Sequence, residues 1–215
     1  MLADLRLYTV FLALLSGMFG IIYWYKLPNN KAKFFVLSIW LSALTELTGI
    51  FYTQITGQVN YMVFNIYMFI ILPYYILFLK SILQQPKHKQ VANVCFALFL
   101  VSVFVNLTFF QDVVEEVCFN NFAIGVVMIL MLSCLYLMEL FNSNLILSIK
   151  DTIFFWFVLG ILLFYVPFLP FMLSLRWFLS GIHETTYSLI IFFLNVLMNT
   201  SFIFGFIWSK KRYHY

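Results

Sequence analysis

Apolar positions run in seven stretches of about 20 residues, and the polar positions fall almost wholly in the gaps between them. The stretches lie near 7–25, 34–54, 61–83, 91–110, 118–141, 153–175 and 186–208. At about 1.5 Å per residue each is long enough to cross a bilayer as a helix. The pattern therefore predicts an all-α integral membrane bundle of seven transmembrane helices. Residues 1–215 are expected to form a single domain, since the connections are short. The first stretch is expected to stay as a helix: Asp4 and Arg6 cancel, and it is too long for a signal h-region.

Details inside the stretches add shape. Pro73 predicts a kink in the third helix, because it removes a backbone donor and crowds the preceding turn. Pro167 and Pro170 predict an interruption of the sixth, with residues 171–182 lying along the outer interface. Small residues four apart, such as Ala13 with Gly17, Ser16 with Gly20 and Ser201 with Gly205, predict close helix packing or a face for a homo-oligomer. Tyr23, Trp24, Tyr25 and Trp208 mark helix ends as interfacial aromatics do.

Composition agrees: 64% of residues are hydrophobic and 9% charged, where a soluble domain carries about a quarter charged. The charge that remains sets orientation. Lys26, Lys31, Lys33, Lys80, Lys87, Lys89, Lys150, Lys210, Lys211 and Arg212 fall on one face, leaving Arg6 and Arg176, of 12 basic residues, on the other. Basic residues near helix ends stay in the cytoplasm, so the C-terminus is expected inside and the N-terminus outside. That face would meet anionic headgroups of the lipid bilayer, and no nucleic-acid surface is expected. The expected location is the cell membrane, of bacterial cytoplasmic type. Cys95, Cys118 and Cys134 show neither a disulfide framework nor a metal-ligand spacing, and no cofactor is expected.

One carboxylate lies deep in an apolar stretch. Glu46 is 12 residues beyond Phe34, about 18 Å from the inner edge, where a charge costs about 3 kcal/mol. Ser38, Ser42, Thr45, Gly49 and Thr53 share its helical stripe. Ser188, Asn195 and Asn199 share a face of the seventh helix, and Asn65 and Tyr67 enter from the outer end of the third. A ligand-binding pocket of Glu46, Ser42, Asn65, Tyr67, Asn195 and Asn199 follows as one reading. Interhelical hydrogen-bond glue and an ion pathway are the others. Outside, Asp112, Glu115 and Glu116 form an i, i+3, i+4 acidic face if their gap is helical, with His183 and Glu184 on the same side. Glu139, near the inner end of the fifth helix, is expected to snorkel or to pair with an inner lysine.

Enzyme signatures are mostly absent: no H-E-x-x-H, no phosphate loop, no G-x-S-x-G, no catalytic pair of deep carboxylates. The stretch ALTELTGIFYTQITGQVNYMVFNIYMFIILPYYILFLKSIL (43–83) resembles a pattern in small uncharacterised bacterial seven-helix membrane proteins, many encoded beside sensor histidine kinases. Glu46 and Asn65-Ile66-Tyr67 carry the resemblance. A second Glu that is common in those proteins is replaced here by Ile71. The resemblance implies a non-enzymatic protein that senses or relays a signal to a separate cytoplasmic signalling protein. A small transporter or channel subunit is the alternative, and a lipid-modifying enzyme the third reading.

Overall fold

The structure is a computed structural model that describes residues 2–177 and 184–210. Its elements are α1 (Leu2–Ile22), α2 (Asn30–Thr56), α3 (Tyr61–Ile82), α4 (Pro86–Phe109), α5 (Phe119–Phe141), α6 (Ile153–Trp177) and α7 (Glu184–Trp208). Short 3-10 helices, Trp24–Lys26 and Asn144–Asp151, join α1 to α2 and α5 to α6. Among the described residues there is no strand. The all-α expectation is met, and the helix bounds lie within a few residues of the apolar stretches.

Helices α2 and α4 begin earlier than hydropathy places them, because their basic first turns are helical too. Asn29 Oδ1 accepts the Ala32 N–H at 3.2 Å and so caps α2. Pro86 opens α4, where its missing N–H costs nothing. Six helices, α2 to α7, are long and apolar enough to cross a membrane. The apolar part of α1, Leu7–Ile22, is shorter. Contrary to the expected interruption, α6 runs through Pro167 and Pro170 to Trp177. Prolines are tolerated in membrane helices where neighbouring groups meet the freed carbonyls. Residues 178–182 of the expected interfacial stretch lie outside the described residues.

The chain divides into two compact units. Unit 1 comprises residues 1–43 and 140–215, and so holds α1, the first part of α2, α6 and α7. Phe35 of α2 stacks on Phe157 of α6 at 4.0 Å between centroids, with the Phe202 edge of α7 at 5.1 Å from Phe35. All three rings are buried. Small residues admit the bulky neighbours: a Cβ on Gly20 would lie 2.8 Å from Val36 Cγ1 and 3.2 Å from Phe206 Cζ. One on Gly205 would lie 2.7 Å from Trp156 Cβ. These spaced small residues therefore serve packing within the chain.

Unit 2 comprises residues 44–139, with the second part of α2, α3, α4 and α5. Gly125 of α5 meets Leu72 of α3 and Phe99 of α4, where a Cβ would lie 2.7 and 2.8 Å from their side-chain carbons. In α4 the buried residues are Ala92, Cys95, Phe99 and Asn106, one narrow stripe at helical spacing. Val94, Leu98, Val101 and Phe104 are exposed on its other faces. Such an outward apolar surface is unfavourable in water and suits a lipid bilayer.

Candidate functional site

The connection between α4 and α5 is built from side-chain amides. It leaves helical geometry after Phe109 and regains it at Phe119, so its backbone groups need partners other than a helix ladder. Asn106, buried on the last turns of α4, donates from Nδ2 to Gln111 Oε1 at 3.1 Å and to Asn121 Oδ1 at 2.6 Å. Its own Oδ1 accepts from Asn120 Nδ2 at 2.9 Å. Gln111 Nε2 donates to Val117 O at 3.1 Å, and Asn121 Nδ2 donates to Ser102 Oγ at 3.3 Å.

Asn65 reaches the same connection from α3. Its Nδ2 donates to Val113 O at 2.8 Å and Glu116 O at 2.7 Å, while Oδ1 accepts from Cys118 N at 3.0 Å. One amide thus clasps three backbone groups of a loop. A carboxamide offers donors and acceptors together with no net charge, so it satisfies these groups without the desolvation cost of burying an ion. The side chains of Asp112, Glu115 and Glu116 are left exposed.

The gap is not a helix, so the condition for an i, i+3, i+4 acidic face is not met, although the Glu116 N–H donates to Asp112 O at 3.3 Å in a single turn. The amides hold the loop in turns instead, and Asp112 Oδ1 accepts the Val114 N–H at 2.7 Å. Cys118, fully buried, precedes the α5 span. Burial, then the charges of Glu116 and Asp112, push its thiol up to about 11.

A second polar joint lies at the other end of α5. Glu139 accepts from the Gln84 N–H at 2.6 Å and the Gln85 N–H at 3.0 Å, and lies 2.6 Å from His88 Nδ1. It therefore does not pair with a lysine, as hydropathy and charge led one to expect. The carboxylate closes the turn between α3 and α4, beside the positive N-terminal end of α4 with its Lys87, His88 and Lys89.

In unit 1 the basic connections also gather at one end. Lys26 Nζ donates to Ile207 O at 3.2 Å, Lys210 Nζ lies 3.1 Å from Asp151 Oδ2, and Trp156 Nε1 donates to Lys150 O at 2.9 Å.

The residues of the expected pocket are distributed as follows. Glu46, Asn65 and Tyr67 belong to unit 2, and Ser42, Asn195 and Asn199 to unit 1. Glu46, Ser42, Tyr67 and Asn195 are partly exposed. Asn195 Nδ2 donates to Ile191 O at 2.9 Å, and buried Asn199 donates to Asn195 O at 3.0 Å, both within α7. Asn65 joins the acidic loop instead. His183 lies outside the described residues, and Glu184 opens α7.

Sequence reasoning passed over Asn106, Gln111, Asn120, Asn121 and His88. The readable signal was carboxamides flanking both sides of one connection. Among the described residues no group of three or more His, Cys, Asp or Glu side chains could hold a metal ion.

The chain matches no known protein family, no curated protein and no solved structure. Its class follows from the fold: an all-α multi-pass membrane protein with six helices long and apolar enough to span a bilayer.

Proposed function

We propose that this protein relays a signal across a bacterial cytoplasmic membrane to a separate cytoplasmic partner, without catalysing a reaction itself. In this reading all seven helices cross, with the N-terminus outside and the basic loops inside.

The observation that carries the reading is that one helix bears a polar joint at each end. α5 has 23 residues, a rise of about 35 Å. At its start the amides of Asn65 and Asn106 tie it to an exposed acidic loop. At its finish Glu139 ties it to the turn that carries Lys87 and Lys89. Between the joints its contacts include the apolar meeting of Gly125 with Leu72 and Phe99. A displacement of the loop is then passed along a stiff element to a charged surface, where another protein can read it.

The test is amide hydrogen exchange on the full chain in lipid nanodiscs. Asn106→Leu should speed exchange in the loop and also, by roughly tenfold, at Gln84 and Gln85 at the far end of α5. Faster exchange in the loop with no change at Gln84 and Gln85 would sink the relay. Solute uptake into proteoliposomes that Glu46→Gln abolishes would favour transport instead.

A further inference from the structure

At the basic end of unit 1, the turn between α1 and α2 brings aromatic and cationic groups into one patch. The short Trp24–Lys26 helix leaves Trp24 and Tyr25 38% and 68% exposed. Lys26 is held in place: Nζ donates to Ile207 O and sits 4.4 Å from the Tyr23 ring centroid. Lys33, one turn into α2, places Nζ 5.7 Å from the Trp24 ring centroid.

The charge of this patch is unusual for its position. The first turn of α2 contains lysine and no acid, although the N-terminal end of a helix is already positive. The carboxylate of Asp151, in the connection before α6, pairs with Lys210 at 3.1 Å. Unit 2 shows how the chain handles a similar end. There α4 also opens on basic residues, and Glu139 supplies the carboxylate.

We propose that the Trp24–Lys33 patch binds the headgroup phosphate of an anionic phospholipid. Lys33 and the remaining donors of Lys26 meet the phosphate, and Trp24 and Tyr25 sit at the boundary between headgroup and acyl chain. Exposed Ile21 and Ile22 lie just before the turn and give the acyl chain an apolar surface. That apolar flank is why a lipid fits better than free phosphate. The site is independent of the relay reading.

Native mass spectrometry of the purified full chain, titrated with phosphatidylglycerol or phosphatidylcholine, tests it. Wild type should retain phosphatidylglycerol preferentially. Lys33→Gln should weaken that retention about fivefold, the effect of one lysine near an anionic surface, and clearly more than Lys87→Gln does. Trp24→Leu, which alters no charge, should weaken retention of the lipid and not the binding of inorganic phosphate. Equal retention of the two lipids, equal losses in Lys33→Gln and Lys87→Gln, or full displacement of phosphatidylglycerol by inorganic phosphate would each overturn the proposal.

Discussion

The Glu139 carboxylate, 8% exposed, lies 2.6 Å from the His88 ring nitrogen and joins the end of α5 to the start of α4. The same carboxylate accepts two backbone N–H groups of the preceding turn. Its value to the fold is therefore mostly that of a cap supplied by another helix, with His88 as a third contact.

Removing that cap should be expensive. Glu139→Ala leaves the Gln84 and Gln85 N–H groups without their acceptor, and hydrogen bonds to a charged group contribute about 1.5–3 kcal/mol each. We expect a loss of about 3 kcal/mol in detergent unfolding experiments, with His88→Ala losing less than half as much. Equal losses would mean that the His88 contact, and not the backbone cap, carries the joint.

Asn65 allows a sharper substitution. Leucine at this position removes two donors and one acceptor at a site only 1% exposed. Aspartate keeps the acceptor for Cys118 N but turns a carboxylate toward the carbonyls of Val113 and Glu116. Asn65→Asp should therefore cost more than Asn65→Leu, with each in the range of about 2–4 kcal/mol. Both should loosen the loop, so a glutamate-specific protease should cut after Glu115 or Glu116 faster than in wild type. If Asn65→Asp were the milder change, the two carbonyl contacts would not matter energetically.

These two joints also show where sequence reading succeeds and fails here. Hydropathy located the helices because lipid demands about 20 apolar residues in a row, a constraint written locally along the chain. The helices α2 and α4 extend a few residues before those stretches, through polar first turns that hydropathy does not mark. The interruption expected at Pro167 and Pro170 is absent, since α6 runs through both to Trp177; a missing donor alone need not end a membrane helix. Asn65 was picked out by its depth and helix, but its partners lie 48 or more residues away. No local pattern encodes such a pairing. Glu139 was expected to snorkel or to pair with a lysine, whereas geometry gave it backbone N–H groups that no charge count reveals.

Gly160 tests the packing of unit 1. A methyl group there would collide with the Phe202 ring and lie 3.0 Å from Met198 O, a backbone atom with little freedom to retreat. Gly160→Ala should destabilise by about 1–3 kcal/mol, the usual range for overpacking. At Gly57 nothing lies within 4 Å of the added methyl, and the cost comes from its φ of +69° instead. Gly57→Ala should lose about 1 kcal/mol. Phe202→Leu combined with Gly160→Ala should recover part of the first loss, and combined with Gly57→Ala should recover none of the second. Absence of that recovery in unfolding midpoints would place the strain of Gly160→Ala elsewhere.

Cys118 offers a readout of the amide-clasped loop through its chemistry. Its thiol ionises at about 11 against an ordinary value of 9.0, so between those two values the folded state keeps a proton that the unfolded state has lost. The resulting stabilisation is complete below pH 9 and fades as the pH rises toward 11. Wild type should therefore lose more stability across that window than Cys118→Ala, in which the other titrating groups are unchanged. At pH 8 the folded thiol also holds less thiolate than a free one, and thiolate is the species that maleimides attack. With Cys95 and Cys134 replaced by alanine, labelling at Cys118 should be slow in wild type and should speed up in Asn65→Leu. That substitution removes the acceptor of the Cys118 N–H and loosens the turn that brings Asp112 and Glu116 close. Labelling that is equally fast in both proteins would mean that the loop is not held as the Asn65 hydrogen bonds require.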